Sequence, residues 1–380
     1  MPSLVELGID AGRVMESAQL RSATVYDVLE KDGLVVAGVS SGHLVIWYPS
    51  GEWRRMRVGS AVYCLTLMND EALLCACDQF VALYSWSTIV SGEINDKPAK
   101  HWQIPASQLP TAEANCILWD ATKERIFIGA GDGGIYCFDP SRFDACALIA
   151  SVSSNEMVLD LHLKKNILAA ACDDGSIALL DPRKKQAIHK TLSLALNQQR
   201  TFCTCVSLDP TANWVTAAGG IEDPTSVSSS SGALATFHVS SGSVAHATSI
   251  DAPVRAMASR PDTEKLFLAT DIGLQTFDIW GSSTSFTKTS NKNIATQFKG
   301  AGQVRSPAVL TLLDDSFCRD RLSHTSKSFS DSDLGYGNGG AEDLGPIPTF
   351  LVAGLPATYI DICTPYRHLF SLRHDMPPPY

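Results

Sequence analysis

A glycine-rich segment, GAGDGG at residues 129–134, has the G-x-G-x-x-G spacing of a dinucleotide-binding site. In such a site the glycines precede a helix, whose first backbone N–H groups hold the pyrophosphate. The residues that follow here, IYCF at 135–138, are typical of a β-strand instead. We therefore interpret the segment as a hairpin turn and expect no cofactor.

A second segment, GVSSG at residues 38–42, has the G-x-S-x-G spacing of a nucleophilic serine. That serine must sit on a turn between a strand and a helix, where its hydroxyl is exposed to substrate. The residues that follow, HLVIW at 43–47, again favour a strand. We interpret this segment as a hairpin turn too, and we expect no catalytic residue in it.

Eleven cysteines raise the question of a metal site or of disulfides. Cys75 and Cys77 are two residues apart, as are Cys203 and Cys205, so each pair would lie on one face of a strand. The chain has no Cys-x-x-Cys, and no His-x3-5-His lies near either pair. We therefore expect buried thiols, no metal and a reducing compartment.

The turns themselves have a recurring composition. Residues 167–188, ILAAACDDGSIALLDPRKKQAI, contain two apolar runs joined by Asp-Asp-Gly. Aspartate accepts backbone N–H groups in a tight turn, and glycine tolerates a positive φ. We predict a hairpin here and assign a structural turn role to Asp132, Asp173, Gly175 and Asp271. A metal or acid–base role would require several aspartates to converge, whereas the repeats place them on different sheets.

Similar hairpin phrases recur along the whole chain, seven times in all, and each follows another strand-like run. Most are followed by a fourth, more polar run, such as EWRRMRV after the first copy and RHLFSLRH after the last. The other six phrases are LVVAGVSSGHLVIWYPSG from Leu34, LLCACDQFVALYSW from Leu73, IFIGAGDGGIYCFDP from Ile126, WVTAAGG from Trp214 with GALATFHVSSG from Gly232, LFLATDIGLQTFDIWG from Leu266, and FLVAGLPATYIDICTP from Phe350.

Four short strands in about 45 residues is the size of a propeller blade. One such blade cannot bury both of its faces, so the copies must pack radially around a channel. We predict an all-β fold, a seven-bladed β-propeller of four antiparallel strands per blade, as a single domain over residues 21–374. Residues 1–20 are expected to form a helical lead-in, 314–347 a disordered insert in the last blade, and 375–380 a proline-rich tail.

Composition narrows the function classes. Hydrophobic residues make up 45% of the chain and charged residues 18%, which suits a large β core and excludes a mainly disordered chain. No apolar run is long enough for a membrane span, and the first residues do not read as a secretory signal. The net charge of −10 disfavours tight, sequence-independent binding of nucleic acid, so we expect RNA contact to be weak or indirect.

The repeats resemble the WD-repeat family in a degenerate form. An aspartate lies in several turns, and a hydrophobic-Asp pair closes some third strands, as in Phe138-Asp139 and Leu180-Asp181. No Trp-Asp dipeptide stands at these positions, since Trp47 is followed by Tyr48, and the Gly-His that commonly opens a repeat is missing. The family's buried hydrogen-bond relay therefore cannot form in full, and packing must stabilise more of the fold.

The order of the blade phrases over residues 25–373 is also similar to that of the THO complex subunit 6 family. The matching phrases are AVYCLTLMNDEALLCACDQFVALYSW, EANCILWDATKERIFIGAGDGG, VLDLHLKKNILAAACDDGSIALLDPRKKQ and TFCTCVSLDPTANWVTAAGG. This resemblance implies a nuclear, non-enzymatic subunit of the multi-subunit THO complex, the core of the TREX assembly for mRNA processing and export. It also implies protein–protein interaction with THO subunits 5 and 7.

Two basic segments are candidate partner-binding sites. The first lies on the fourth strand of the first repeat, and the second follows the hairpin of the fourth repeat, and both could meet an acidic helix or RNA. The alternative is that these charges are solvated and discourage strand pairing at a sheet edge. The candidates are Trp53, Arg54, Arg55, Arg57, Asp181, Arg183, Lys184 and Lys185.

Two other functions stay open. A substrate receptor of a cullin-type ubiquitin ligase usually carries an Asp-x-Arg after a Trp-Asp site, and Asp181-Pro-Arg183 has that spacing. A hydrolase centred on the channel would gather carboxylates or histidines there, and the nine histidines form no cluster in the sequence. The residues thus favour a scaffold over an enzyme.

Overall fold

The computed structural model describes residues 23–78, 80–92, 96–104, 113–141, 146–152, 156–184, 188–195, 199–221, 231–260, 265–270, 273–278, 306–313, 349–355, 359–363 and 368–373. The lead-in at 1–20, the insert at 314–347 and the tail at 375–380 lie outside the described residues. So do Lys185 and Asp271.

The described strands form seven antiparallel sheets, and in each sheet the strands are neighbours in chain order. We number these sheets blades 1 to 7 along the chain. Blade 1 comprises β1 (Val25–Lys31), β2 (Leu34–Val39), β3 (His43–Trp47) and β4 (Trp53–Arg57). Blade 2 comprises β5 (Val62–Met68), β6 (Ala72–Cys77), β7 (Phe80–Ser85) and β8 (Lys100–Gln103). Blade 3 comprises β9 (Ala114–Asp120), β10 (Arg125–Ala130), β11 (Gly134–Phe138) and β12 (Cys146–Ser151).

The remaining blades follow the same plan. Blade 4 comprises β13 (Val158–Lys164), β14 (Ile167–Cys172), β15 (Ser176–Leu180) and β16 (Ile188–Ser193). Blade 5 comprises β17 (Thr201–Leu208), β18 (Trp214–Ile221), β19 (Ser231–His238) and β20 (Val244–Ile250). Blade 6 has three described strands, β21 (Val254–Arg260), β22 (Lys265–Thr270) and β23 (Gly273–Asp278). Blade 7 comprises β24 (Ser306–Leu313), β25 (Thr349–Leu355), β26 (Tyr359–Cys363) and β27 (His368–Arg373).

These sheets confirm the predicted all-β architecture of four-stranded antiparallel blades. The segments with enzyme-like spacing are hairpin turns, as predicted: strand β11 begins at Gly134 after one, and strand β3 begins at His43 after the other. The polar fourth strands predicted after the first and last hairpins are β4 and β27. The fourth strand expected in blade 6 would fall in residues outside the described ranges.

In blades 1 to 5 the second strand is the most deeply buried, because both of its faces meet neighbouring blades. Every residue of β2 is buried. Its side chains alternate, so that Val35 and Ala37 pack toward Leu351 of blade 7, whereas Leu34 and Val36 pack toward Leu73 of blade 2. This is why the strand reads as a continuous apolar run and not as an alternating one. Burying one such valine or leucine stabilises the fold by about 1.5–3 kcal/mol.

Blade 7 packs against blade 1 and against blade 6, so the first and last blades are neighbours in space. Leu313 and Ala353 of blade 7 share a core with Val28 of blade 1, and Val352 shares another with Phe267 of blade 6. The hydroxyl of Thr311 also donates to the carbonyl oxygen of Val28 at 2.9 Å. In the described residues the outer strand of blade 7 comes from its own repeat, as the sequence indicated.

One short helix, α1 (Trp86–Ser91), was not predicted. It lies between the third and fourth strands of blade 2, with Trp86 and Ile89 buried and Gly92 closing it in a left-handed conformation. Gly92 was the available sequence signal, since glycine is favoured after the last helical residue. No helix in the described part of the chain is long and apolar enough to cross a membrane.

Candidate functional site

A β-bulge interrupts the first strand of each blade, the one nearest the central channel, at the same position. One residue of the strand is passed over in the pairing with the second strand, which bends the strand and turns that side chain away from the regular pleat. The residues passed over are Tyr26, Tyr63, Asn115, Leu159, Thr204, Arg255 and Ala308. The first two stack on each other, with ring centroids 5.2 Å apart.

The residue after the bulge is an aspartate in blades 1 and 4, and each carboxylate bridges to the next blade. Asp27 accepts the backbone N–H of Leu65 in blade 2 at 2.6 Å. Asp160 accepts the backbone N–H of Val206 in blade 5 at 2.9 Å. Each aspartate also accepts the N–H of its own following residue at 2.8 Å. Both carboxylate oxygens are thus used, one within the blade and one across the gap.

Other polar side chains on the innermost strands make equivalent bridges. The amide of Asn115 donates to the carbonyl oxygen of Val158 at 3.1 Å, and the hydroxyl of Thr204 donates to the carbonyl oxygen of Val254 at 2.9 Å. In blade 4, Nδ1 of His162 accepts the N–H of Leu208 at 3.0 Å. Each bond joins one blade to the next around the channel.

Burial shifts the pKa values of these bridging groups. Loss of hydration raises the pKa of Asp27 to about 6. The hydrogen bonds from Leu65 and other donors lower the pKa, but by less than burial raises it. The same cause raises the pKa of Asp160 to about 7, and repulsion from Asp27 adds to it. Burial lowers the pKa of His162 to about 4, because the charged imidazolium is the form that burial penalises.

One feature of the sequence indicates these bridges, although it does not identify their partners. Asp27 and Asp160 occupy the same place in the phrases VYDVL and VLDLHL, where a polar residue interrupts an apolar inner strand. A carboxylate inside an otherwise apolar strand needs buried donors. Only the packing of the blades shows that the donors belong to the next repeat.

The turn aspartates lie in hairpin turns between the second and third strands. Oδ1 of Asp132 accepts the N–H of Gly134 at 2.8 Å, and Oδ2 accepts the hydroxyl of Tyr136 at 2.6 Å. In blade 4 the equivalent bond, to the N–H of Ser176 at 2.8 Å, is made by Asp174. Asp173, to which we assigned that role, accepts instead the N–H of Met157 at 2.7 Å. The second aspartate of Asp-Asp-Gly therefore holds this turn.

The predicted Gly175 lies in the same turn and has a φ of +77°. A Cβ atom there would lie 2.3 Å from Oγ1 and 2.6 Å from the carbonyl oxygen of Thr201 in blade 5. The position therefore requires glycine for two independent reasons, the left-handed backbone and the close approach of a neighbouring blade.

The basic residues of the first repeat lie on β4, the outermost strand of blade 1. Arg54 and Arg57 are exposed, and Trp53 and Arg55 are half-buried. The guanidinium of Arg54 donates to the carbonyl oxygen of Gly92 at the end of helix α1. Strand β4 is therefore tied to blade 2 and presents its charges beside that helix.

A second set of bonds joins the same strand and blade 2. The Arg54 guanidinium lies 5.6 Å from the centroid of the Tyr48 ring, and the backbone N–H of Arg57 donates to Oδ1 of Asp96 at 3.0 Å. The Tyr48 hydroxyl in turn donates to the carbonyl oxygen of Ile89 at 2.9 Å. These contacts hold the outer edges of blades 1 and 2 together, and no sequence signal indicated them.

The second basic segment forms a compact turn after β15. Nε and Nη2 of Arg183 donate to the two carboxylate oxygens of Asp181 at 2.8 and 2.6 Å, and this pairing lowers the pKa of Asp181 to about 2. The backbone N–H of Lys184 donates to the Asp181 carbonyl oxygen at 3.0 Å. The structure does not bring this segment together with β4, which belongs to another blade.

Cysteines and acidic residues in the described ranges form no group of three or more suited to a metal ion. Nine cysteines whose side chains the structure describes are free thiols, and burial raises the pKa of the pairs Cys75 and Cys77, and Cys203 and Cys205.

Comparison with known proteins shows the fold and no family. No protein-family model and no curated protein matches the chain. One chain of a crystal structure of the mitotic checkpoint complex is similar, with a TM-score of 0.51 and 14% identity over 64% of this chain and 73% of that one. The computationally designed protein Ika8 is similar with a TM-score of 0.52 and 14% identity over 93% of this chain and 88% of its own. The chain thus has the β-propeller fold.

Proposed function

We propose that this chain is a non-enzymatic, seven-bladed propeller of degenerate WD repeats that serves as a nuclear scaffold subunit of the THO complex. Its partners would be THO subunits 5 and 7, and its role would be protein assembly during mRNA export, with RNA contacted weakly or indirectly. The choice of complex rests on the order of the blade phrases in the sequence. The role as a scaffold rests on the structure.

The observation that best supports a scaffold is that polar side chains of the inner strands form hydrogen bonds to backbone groups of neighbouring blades. Asp27, Asp160 and His162 carry the kinds of titratable group that a channel-centred hydrolase would use, and each accepts a backbone N–H group of the next blade. Such bonds stabilise the ring and leave its outer edges to offer contact surface. Stable partners bury about 800 Å² on each side, which a propeller edge can supply.

The interface we favour is the outer edge of blade 1. Strand β4 carries three arginines within five residues, so this strand is positively charged although the chain as a whole has a net charge of −10. Charge complementarity of this kind selects an acidic partner and speeds its association. The Asp181–Arg183 turn supports the ubiquitin-ligase alternative less well, because the carboxylate of Asp181 already occupies two donor groups of that arginine.

The test is affinity purification of the tagged chain from nuclear extract, with partners identified by mass spectrometry. We expect THO subunits 5 and 7 to copurify, and we expect the Arg54→Glu, Arg55→Glu double variant to recover at least about fivefold less of them. Arg54→Lys is the matched control, since it keeps the charge and loses only the planar fork, and it should retain most of the recovery.

Recovery of a cullin adaptor without THO subunits would replace this proposal with the ubiquitin-ligase alternative. Full recovery by the double variant, with its melting temperature unchanged, would remove strand β4 from the interface.

A further inference from the structure

A small cavity, which we call the junction cavity, lies where blades 4, 5 and 6 meet, at the face of the ring where their first strands end. Its volume is about 40 Å³, and its polar wall includes His162 and Lys164 of blade 4, Ser207 and Asp209 of blade 5, and Ser259 of blade 6. A water molecule needs about 10–15 Å³ of such volume, so the cavity has room for about three atoms of that size. It therefore fits a small polar group.

Two hydrogen-bond donors on this wall lie two residues apart on strand β13, so they share one face of the strand. The imidazole of His162 accepts the N–H of Leu208 on Nδ1, and burial, with the charge of Lys164 adding to it, lowers its pKa to about 4. The ring is therefore neutral at pH 7 and carries its proton on Nε2. Within the described residues neither Nε2 nor the Lys164 ammonium has a partner, and both keep some accessible surface, so a ligand can reach them.

A third donor comes from blade 6. The hydroxyl of Ser207 donates to that of Ser259 at 3.2 Å, so the Ser259 oxygen accepts this bond and its own proton is left for another acceptor. No acceptor for that proton lies among the residues that the structure describes. The junction cavity thus gathers three donors without acceptors, one each from Lys164, His162 and Ser259.

The acidic residue on the wall already has its own donors. Oδ1 of Asp209 accepts the N–H of Trp214 at 2.7 Å, and Oδ2 accepts the N–H of Thr211 at 3.0 Å together with its hydroxyl. These bonds hold the carboxylate of Asp209 within its own turn. The group that would complete the cavity is therefore one that accepts several hydrogen bonds and donates none. A deprotonated carboxylate has that property and has three heavy atoms.

We propose that the junction cavity binds a carboxylate group. One carboxylate oxygen accepts a hydrogen bond from Nε2 of His162, the other accepts one from the hydroxyl of Ser259, and the ammonium of Lys164 pairs with the charge. The carboxylate belongs either to a small free acid or to an acidic side chain of a partner, and the chemistry of recognition is the same. The inference goes beyond the proposed function and does not depend on it.

The test follows the imidazole Cε1–H resonance of His162 by NMR at pH 7 and constant ionic strength, in the full chain labelled with ¹³C at its histidines. The chain has nine histidines, so the spectrum is simple, and His162→Gln identifies the signal. We expect sodium acetate to shift this resonance saturably, with a Kd of about 1–10 mM. Acetamide has the shape of acetate without its charge, so it should cause no saturable shift below about 100 mM.

Three variants of the chain locate the site. Lys164→Met removes the ammonium and should weaken acetate binding at least about tenfold, and Ser259→Ala should weaken it about three- to tenfold, the worth of one hydrogen bond. Lys165→Met is the matched control, because the neighbouring ammonium donates to the carbonyl oxygen of Thr211 and does not line the cavity. Its affinity for acetate should stay within about twofold of the parent's, because an exposed charge is screened. Unchanged melting temperatures show that each variant is folded.

Two blocked tripeptides distinguish the sources of the carboxylate. The peptide GEG carries one side-chain carboxylate between blocked termini, and GQG replaces that carboxylate by a neutral amide. Tighter binding of GEG than of acetate, with no binding of GQG, assigns the site to an acidic side chain of a partner. Weaker binding of GEG than of acetate assigns it to a small free acid.

A folded parent whose His162 resonance does not respond saturably to acetate overturns the proposal, as does equal acetate binding by the parent and the Lys164→Met variant. Equal responses to acetate and acetamide also overturn it, because the site would then not recognise the charge. Tighter binding of inorganic phosphate than of acetate would overturn the assignment to a carboxylate. Copurification with THO subunits is unaffected by any of these results, so failure of this site and failure of the proposed function are distinguishable.

Discussion

Asp160 should make the stability of the propeller fall as the pH rises from 5 to 8. Its pKa is raised from 3.8 to about 7 in the folded chain, so folding favours the protonated carboxyl. The resulting stabilisation is fully present below the unfolded pKa of 3.8 and is lost as the pH rises through the folded pKa. Ordinary acid denaturation has the opposite sign, because it arises from carboxylates whose pKa is lowered by folding.

The magnitude follows from the two pKa values. Above pH 5 the unfolded carboxyl is already ionised, and the folded one keeps its proton until about pH 7. Each pH unit in that interval costs about 1.4 kcal/mol, so the loss over two units is about 3 kcal/mol. Asp160 keeps part of its surface exposed, so solvent screening places the expected loss between about 1 and 3 kcal/mol. Asp27, with a pKa of about 6, should contribute about half as much.

The assay is urea unfolding followed by tryptophan fluorescence at pH 5, 6, 7 and 8, for the parent chain and for Asp160→Asn. Asparagine cannot titrate, and its amide faces one of the two N–H donors, so the variant should be less stable than the parent at pH 5. That deficit should shrink by about 1–3 kcal/mol at pH 8, because only the parent pays for ionisation. Titrating groups that do not interact with Asp160 cancel in the difference.

Thr204→Val is the matched control. It removes an inter-blade hydrogen bond from the equivalent region of blade 5 without removing a titratable group, so its deficit should be the same at every pH. A constant deficit for Asp160→Asn, or one that grows with pH, would refute the reasoning. The carboxylate would then be stabilised by its two N–H donors more than it is penalised by burial.

Two further predictions concern the hairpin turns. Gly175→Ala should destabilise the chain by more than about 2 kcal/mol, because the cost of a positive φ and the cost of a contact with blade 5 add. Gly51→Ala is the control: its φ is +87° and nothing lies within 4 Å, so it should cost only about 1–2 kcal/mol. Equal urea midpoints for the two variants would argue against the close contact. Asp132→Ala should lower the free energy of unfolding by about 1 kcal/mol more than Asp174→Ala does, because Asp132 also accepts a hydrogen bond from the hydroxyl of Tyr136. In a double-mutant cycle, Tyr136→Phe should remove that difference.

Much of the fold could be predicted from short stretches of sequence. The hairpin with strands Ile167–Cys172 and Ser176–Leu180 is encoded by two apolar runs around Asp-Asp-Gly, and the bonds that close it join neighbours in the chain. The repetition of such phrases determined the blades, and the residues after each glycine-rich turn distinguished a hairpin from a nucleotide site. The position of the arginines on an outer strand also followed from the repeat.

Only the tertiary structure decided which side chains work together. The carboxylate of Asp27 binds a backbone group 38 residues away, and that of Asp160 binds one 46 residues away. The junction cavity likewise exists only where blades 4, 5 and 6 meet. Periodicity reports how a residue relates to its own strand, and it carries no information on the distance or direction of the next blade. That relation is set by the packing of whole sheets, so the sequence determined the units and the closed ring determined their contacts.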